Sequence, residues 1–186
     1  MKKLTYFLTA VLLISSIITV GGCASKQGIS KNETIYTAMN DKNRKVFLTE
    51  DNTEVVKVKN ITMDYTRAAV NRDYRTIKGD EEYGYYSKDE LNRLKAKNDQ
   101  NETVKLYKDA QLVQTYGSTT ITGMYFTENY TKCAVSAQVK STVDNITTDT
   151  SKALGLNKGS LIQNFTATMI KENDTWKVDA FQWVKK

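Results

Sequence analysis

The chain has 186 residues, with 27 Lys plus Arg against 21 Asp plus Glu, two cysteines, no proline and no histidine. Without histidine there is no Ser-His or Cys-His catalysis, no His metal site and no imidazole pH switch, and two cysteines cannot supply a zinc site by themselves. The net charge of +6 is mildly basic and falls short of a polyanion binder.

The N-terminus opens with Lys2 and Lys3, continues through an apolar run from Leu4 to Val20, and ends in Gly21, Gly22 and Cys23. A basic start, an apolar run and small residues before a cut are the parts of a signal peptide. Val20-Gly21-Gly22-Cys23 resembles the bacterial lipobox. The resemblance implies a diacylglycerol on the Cys23 sulfur, cleavage just before it, and Cys23 as the first residue of the exported protein. A permanent membrane-spanning helix is the alternative, since the run is close to the length of a span; the two glycines and the cysteine speak against it. Residues 1–22 are thus expected to be a signal peptide and 23–34 a polar, flexible tether. Removing Lys2 and Lys3 leaves 25 cationic against 21 acidic residues, a net charge of +4. With Cys23 lipidated, only Cys133 remains, so no internal disulfide can form. Seven Asn-x-Ser/Thr sequons follow from an Asn- and Thr-rich composition rather than from glycosylation.

Residues 35–54 have apolar side chains without a clean period and read as a short helix or strand. From residue 54, Val55, Val58, Ile61, Tyr65 and Ala68 or Ala69 recur at three- and four-residue steps, which predicts a long amphipathic helix stopped by Gly79. Ser87 followed three residues later by Glu90 is a capping box, and Leu91 and Leu94 give the second helix a short apolar face. From about residue 102 the period changes to two. A first strand is expected over "ETVKLYKDAQLVQTYG", ending at Gly117, and a second over "STTITGMYFTEN". Cys133, Val135, Ala137 and Val139 alternate on one face of a third. Residues 144–160 read as a long loop with a helical turn near Ala153. The chain closes with a hairpin over "LIQNFTATMIK" and "WKVDAFQWVKK" around an Asn-Asp turn. Phe181 and Trp183 fall on the opposite parity from Trp176 and Val178, which requires a bulge near Ala180 or burial on both faces. Helices first and strands afterwards predict an α+β fold, the N-terminal helices packed in a curved antiparallel sheet.

A long helix with Asn71-Arg72-Asp73-Tyr74 near its end, a short second helix, and a closing strand that begins Trp176-Lys177-Val178-Asp179 resemble the nuclear-transport-factor-2-like superfamily. The resemblance covers residues 54–186 and implies a cone, with residues 35–186 as a single domain and often a pocket inside. Fold alone does not fix function in this superfamily. Two exported groups suit a lipoprotein: surface lipoproteins of Gram-positive bacteria, and the assembly-factor domain of type IV secretion (conjugation) machines. The usual member of the second group is held by a transmembrane helix, which a lipid would replace here.

Several kinds of function are weighed on the residues. For a His-free lyase or isomerase, Asp64, Asp73 or Asp109 would pair with Tyr65, Tyr74 or Tyr107; the plainer reading is solvated helix charges. Arg67, Arg72, Arg75 and Lys78, with Arg93, Lys95 and Lys97, could form a basic stripe, but interleaved acids make nucleic acid a disfavoured partner. Tyr83, Tyr85, Tyr86, Tyr125, Phe126 and Trp183 could line a ligand pocket. Cys133, among aliphatic neighbours, reads as a small buried hydrophobe. The expectation that follows is a non-catalytic surface lipoprotein on the outer face of the bacterial cell membrane, without cofactor or metal. It is a scaffold subunit, most concretely of a conjugative transfer machine, and its partners are the membrane through Cys23 and protein subunits of a membrane complex; homo-oligomers also fit. Its interface anchors would be Tyr83, Tyr85, Tyr86, Phe181 and Trp183, since large aromatic side chains dominate interface energetics. A small-ligand-binding lipoprotein is the alternative.

Overall fold

The structure, a computed structural model, describes residues 34–185. The signal peptide, Cys23 and the tether therefore lie outside the described residues. Thr34–Lys186 forms one compact unit. It is an α+β domain, with strands β1 (Ile35–Met39), β2 (Lys45–Phe47), β3 (Arg72–Asp73), β4 (Val113–Phe126), β5 (Lys132–Asn145), β6 (Gly159–Glu172) and β7 (Thr175–Lys185). Its helices are α1 (Thr53–Val70), α2 (Lys88–Ala96), α3 (Asp99–Ala110) and α4 (Thr148–Leu154). The strands form a single sheet in the order β2-β1-β4-β5-β6-β7, with β3 paired to the start of β4. Two strands thus precede the first helix. The sheet is also mixed, because β1 runs parallel to the end of β4.

The α1 helix starts where Asn52 accepts from the backbone N–H groups of Glu54 and Val55, satisfying donors that a helix start leaves free. Val55, Val58, Thr62, Tyr65, Thr66 and Val70 are buried against β4, β5 and β7. The helix ends at Asn71, well before Gly79. Arg72 and Asp73 leave it to pair with Gln114 and Val113 of β4. Gly79 instead sits in a tight turn at φ +78, where a Cβ would come 2.5 Å from the Gln100 carbonyl oxygen. At the start of α2 the Ser87 hydroxyl accepts from Glu90 N–H, the first half of the capping box, while the Glu90 carboxylate turns to Arg93 instead of back to Ser87 N–H.

The segment expected as the first long strand is mostly the helix α3. Thr103, Val104, Leu106, Tyr107 and Ala110 are covered, a three-to-four-residue spacing. Asp99 and Glu102 in its first turn and Lys108 in its last complement the helix dipole. Tyr107 and Ala110 enter a second core with Ile77, Leu112, Val143, Ile146 and Leu161. Gln111 adopts the left-handed conformation and ends the helix, and β4 begins two residues later. Gly117 does not end a strand. It lies inside β4 at a register shift, where a Cβ would meet the Lys140 carbonyl oxygen at 3.0 Å.

The remaining strands follow their alternation. Cys133, Val135, Ala137 and Val139 of β5 and Phe165, Ala167 and Met169 of β6 are all buried in the main core with α1. The expected loop at 144–160 contains α4, capped by Gly155. The β6–β7 turn is the two residues Asn173 and Asp174, both at positive φ, the geometry that matches strand twist in a tight hairpin. Pairing shifts between Thr168↔Ala180 and Met169↔Val178, which leaves Asp179 as an extra residue. Its side chain accepts from the Ser87 hydroxyl at 2.7 Å, and Ser87 N–H donates to the Val178 carbonyl. The bulge therefore ties the start of α2 to the sheet. It also changes parity, so Trp176, Val178, Phe181 and Trp183 all meet the core face.

A charged, aromatic-walled cavity

A cavity of about 250 Å³ lies at the C-terminal end of α1. Tyr65, Ala69 and Val70 of α1 form one wall and Asp99, Thr103 and Tyr107 of α3 another. Arg72 of β3, Gln114 of β4, Gln163 of β6, and Phe181 and Trp183 of β7 complete it, with Glu82 and Tyr86 from the loop before α2.

Its polar groups form a connected chain. Arg72 and Glu82 make a close ion pair, with both side chains only 7% exposed. Arg72 Nε makes no hydrogen bond and faces Glu81 Oε2 at 3.6 Å. The Tyr86 hydroxyl donates to Glu82 Oε1 at 3.5 Å, so at the 3.2 Å contact between the Tyr65 and Tyr86 hydroxyls Tyr65 is the donor. On the other side the Arg72 guanidinium lies 5.8 Å from the centre of the Tyr107 ring. The Tyr107 hydroxyl donates to Gln114 Oε1 at 3.3 Å, and Gln114 Nε2 donates to Ser141 at 2.9 Å. Such a network rigidifies the site because each member left unpaired would be costly.

Burial raises the pKa of both Tyr65 and Tyr86, and the charge of Glu82 adds to the effect. Both hydroxyls stay protonated at neutral pH and act as donors. Burial opposes the charge of Arg72, yet the field and hydrogen bond of Glu82 outweigh it and hold the guanidinium pKa above its ordinary value. Asp99, half-buried at the first turn of α3, has its pKa raised by burial, against the pull of Arg72 and Arg93. Among the cavity's lining residues the carboxylates of Glu82 and Asp99 stand against one guanidinium, that of Arg72.

Of the five expected interface anchors, Tyr86 is buried and Tyr83, Tyr85, Phe181 and Trp183 are partly buried. Tyr86, Phe181 and Trp183 line the cavity. Phe181 stacks on Tyr86 with centroids 5.6 Å apart, and Trp183 packs on Phe165 at 4.8 Å. The five do not form an outward-facing cluster, because the bulge at Asp179 turns Phe181 and Trp183 inward. Tyr125 stands on the opposite, solvent face of β4, while Phe126 is in the core against Trp176, so neither reaches the cavity.

The carboxylate–tyrosine pairs considered from spacing are not brought together. Asp64 is exposed beside Arg67 at 3.6 Å, Asp73 holds Arg75, and Asp109 holds Lys105. Tyr74 packs against the second core. Tyr65 and Tyr107 do reach the cavity, where their acidic neighbours are Glu82 and Asp99. The basic stripe is broken in the same way: Arg72 points inward, Arg75 binds Asp73, and Arg93 binds Glu90. Burial pushes the Cys133 thiol up to about 12, which keeps it an unreactive thiol. Among the described residues no group of three or more Cys, Asp or Glu side chains could hold a metal ion. No described helix is long and apolar enough to cross a membrane.

Fold and cavity together define an α+β domain with a long helix on one face of a mixed, bulged sheet and a charged, aromatic-walled cavity at that helix's end. No family model matches the chain, and no curated protein matches it. Among solved structures it is similar to the intermembrane-space region of the chloroplast protein ARC6, with 9% sequence identity and a TM-score of 0.44, over 69% of this chain and 95% of that one.

Proposed function

We propose that the protein is a lipid-anchored binding protein of the nuclear-transport-factor-2-like class, held through Cys23 on the outer face of a bacterial membrane, which takes a small cationic molecule into its cavity. The fold assignment is supported by α1 with Asn71-Arg72-Asp73-Tyr74 at its end, and by the closing β7 that starts at Trp176. The parallel β1 is an addition to the pattern expected from residues 54–186.

The observation that carries the ligand reading is the composition of the cavity wall. Two carboxylates, Glu82 and Asp99, line it against the one guanidinium of Arg72, and Tyr65, Tyr86, Phe181 and Trp183 supply aromatic surface beside them. Ring faces attract cations, and quaternary ammonium groups are recognised this way. The cavity is proposed to bind without chemistry, since Glu82 is committed to Arg72 and the tyrosines stay protonated. A scaffold subunit of a conjugative machine would need outward anchors, and Tyr86, Phe181 and Trp183 point inward.

Trp183 lines the cavity and Trp176 does not, so indole fluorescence reports occupancy. Choline is expected to change the emission and its uncharged tert-butyl isostere is not. Asp99→Asn should weaken choline binding about tenfold, the loss of one partly desolvated ion contact. Equal response to both probes, or to neither, would sink the cationic reading.

The anchor has its own test. Palmitate fed to producing cells should label the protein, and Cys23→Ala should abolish the label while the domain stays folded. Unchanged labelling of the variant would remove the anchor.

A further inference from the structure

The most exposed large apolar side chain among the described residues is Phe47, at 70%, on the short edge strand β2. In the sheet, Thr37 pairs with Phe47 on one side and Tyr125 on the other, and Ile35, two residues before Thr37, pairs with Gly123. Alternation along a strand therefore puts Ile35, Phe47 and Tyr125 on the same outer face. Ile35 is 39% and Tyr125 37% exposed. The turn that joins β1 to β2 carries Lys42 and Arg44, and β2 begins with Lys45. All three are exposed, and none makes an ion pair among the described residues. Lys45 Nζ lies 6.0 Å from the centre of the Tyr125 ring. Asp41 is the one acid in that turn.

This corner is therefore an aromatic and aliphatic patch rimmed by cations, the composition that settles at a lipid headgroup boundary. Its place in the chain is the second observation. The patch includes Ile35, and Thr34 lies only eleven residues after Cys23. A stretch of that length spans at most roughly 40 Å when fully extended. A lipid on Cys23 thus holds the patch within reach of the membrane at all times. A second copy of the chain fits less well, because β2 offers a three-residue edge and stable interfaces bury well over 1,000 Å², about twice what a few side chains provide.

We infer that the β1–β2 corner docks on an anionic lipid surface, with Phe47 inserted and Lys42, Arg44 and Lys45 at the headgroups. The inference rests on the lipid-anchor reading for its geometry. Docking fixes one side of the domain against the membrane instead of leaving it to tumble on its tether.

The test uses the chain from residue 23 onward with Cys23→Ser, which keeps the whole described domain and carries no lipid. Co-sedimentation is measured with phosphatidylglycerol vesicles and with phosphatidylcholine vesicles. Binding to the anionic vesicles alone is expected, weakening as salt is raised. Each of Lys42→Ser, Arg44→Ser and Lys45→Ser should weaken it about fivefold, and Phe47→Ser at least about tenfold. Phe47 is exposed, so its variant should melt at the unchanged temperature. Failure to bind anionic vesicles, or binding that Phe47→Ser leaves intact, overturns the docking. So does a concentration-dependent dimer that Phe47→Ser abolishes in the absence of vesicle binding, which would mark a contact between copies. Palmitate labelling of the wild type decides the anchor separately, so an unlabelled chain that binds vesicles would keep the docking surface and discard the tether.

Discussion

Arg72→Ala is expected to lower the stability of the domain by about 3–5 kcal/mol, the usual effect of removing one member of a buried ion pair. The side chain is nearly enclosed and joins β3, the loop carrying Glu81 and Glu82, and the ring of Tyr107 in α3. Without it Glu82 keeps only the long 3.5 Å hydrogen bond from Tyr86 and stays buried with its charge. Urea unfolding of the two proteins measures the loss through the transition midpoint. Arg72→Lys should recover part of it, since an ammonium restores the charge but not the planar fork. The combined Arg72→Met/Glu82→Leu variant should recover most of it, because a buried pair replaced by apolar groups of similar volume is often neutral. If Arg72→Ala unfolds at the wild-type midpoint, the pair is not holding the cavity wall.

Trp176→Ala should cost about as much, roughly 3–5 kcal/mol, and lower the melting temperature by about 10 °C or more. Trp176 is 2% exposed, lies edge-on to Phe126 with centroids 5.8 Å apart, and donates its indole N–H to Glu54 Oε2 at 2.7 Å. Glu54 also binds Lys171 at 2.8 Å and Lys57 at 3.0 Å. Trp176→Phe keeps most of the packing and loses the hydrogen bond, so its loss should be about 1–2 kcal/mol. Acid sensitivity separates the two effects. Burial alone would raise the Glu54 pKa, but the hydrogen bonds from Lys171, Lys57 and Trp176 prevail and lower it. A depressed carboxylate contributes its stability above the unfolded pKa and loses it as pH falls through the folded one. The wild type should therefore lose more stability between neutral and acidic pH than Trp176→Phe does. Equal pH profiles would mean that the indole contact adds nothing to Glu54.

Local patterns carried much of the fold. The Ser87–Glu90 cap, the alternation through Cys133 to Val139, the Asn-Asp hairpin and the bulge near Ala180 each depend on neighbours in sequence, and each is where it was expected. The α3 segment reads as strand from its sequence because Val104 and Leu106 alternate about Lys105. Its true face, Tyr107 and Ala110, is chosen by the second core that forms only when β5 and β6 are in place. The β1–β2 hairpin had no periodic signal because β1 is short and meets β4 in parallel, a pairing that no local pattern announces.

The cavity was legible in its aromatic content and not in its direction. Tyr86, Phe181 and Trp183 stand out by size, but one extra residue in β7 decides that Phe181 and Trp183 face inward, and Tyr86 reaches them from the loop before α2. Nothing local joins Arg72, Glu82 and Asp99, because each lies in a charged stretch that resembles solvated surface. Only β3 pairing with Val113 and Gln114 brings Arg72 under the loop that carries Glu82.

The bulge at Asp179 has a consequence for how this strand can change over evolutionary time. β7 is written in two reading frames joined at one residue, Trp176 and Val178 in the first, Phe181 and Trp183 in the second. A one-residue deletion at the joint would merge the frames into one regular alternation, leave the hairpin tip in place and keep both cavity rings inward. What such a change gives up is the tie from Asp179 to Ser87, so the length of the joint is set by the anchoring of α2 and not by the direction of the rings.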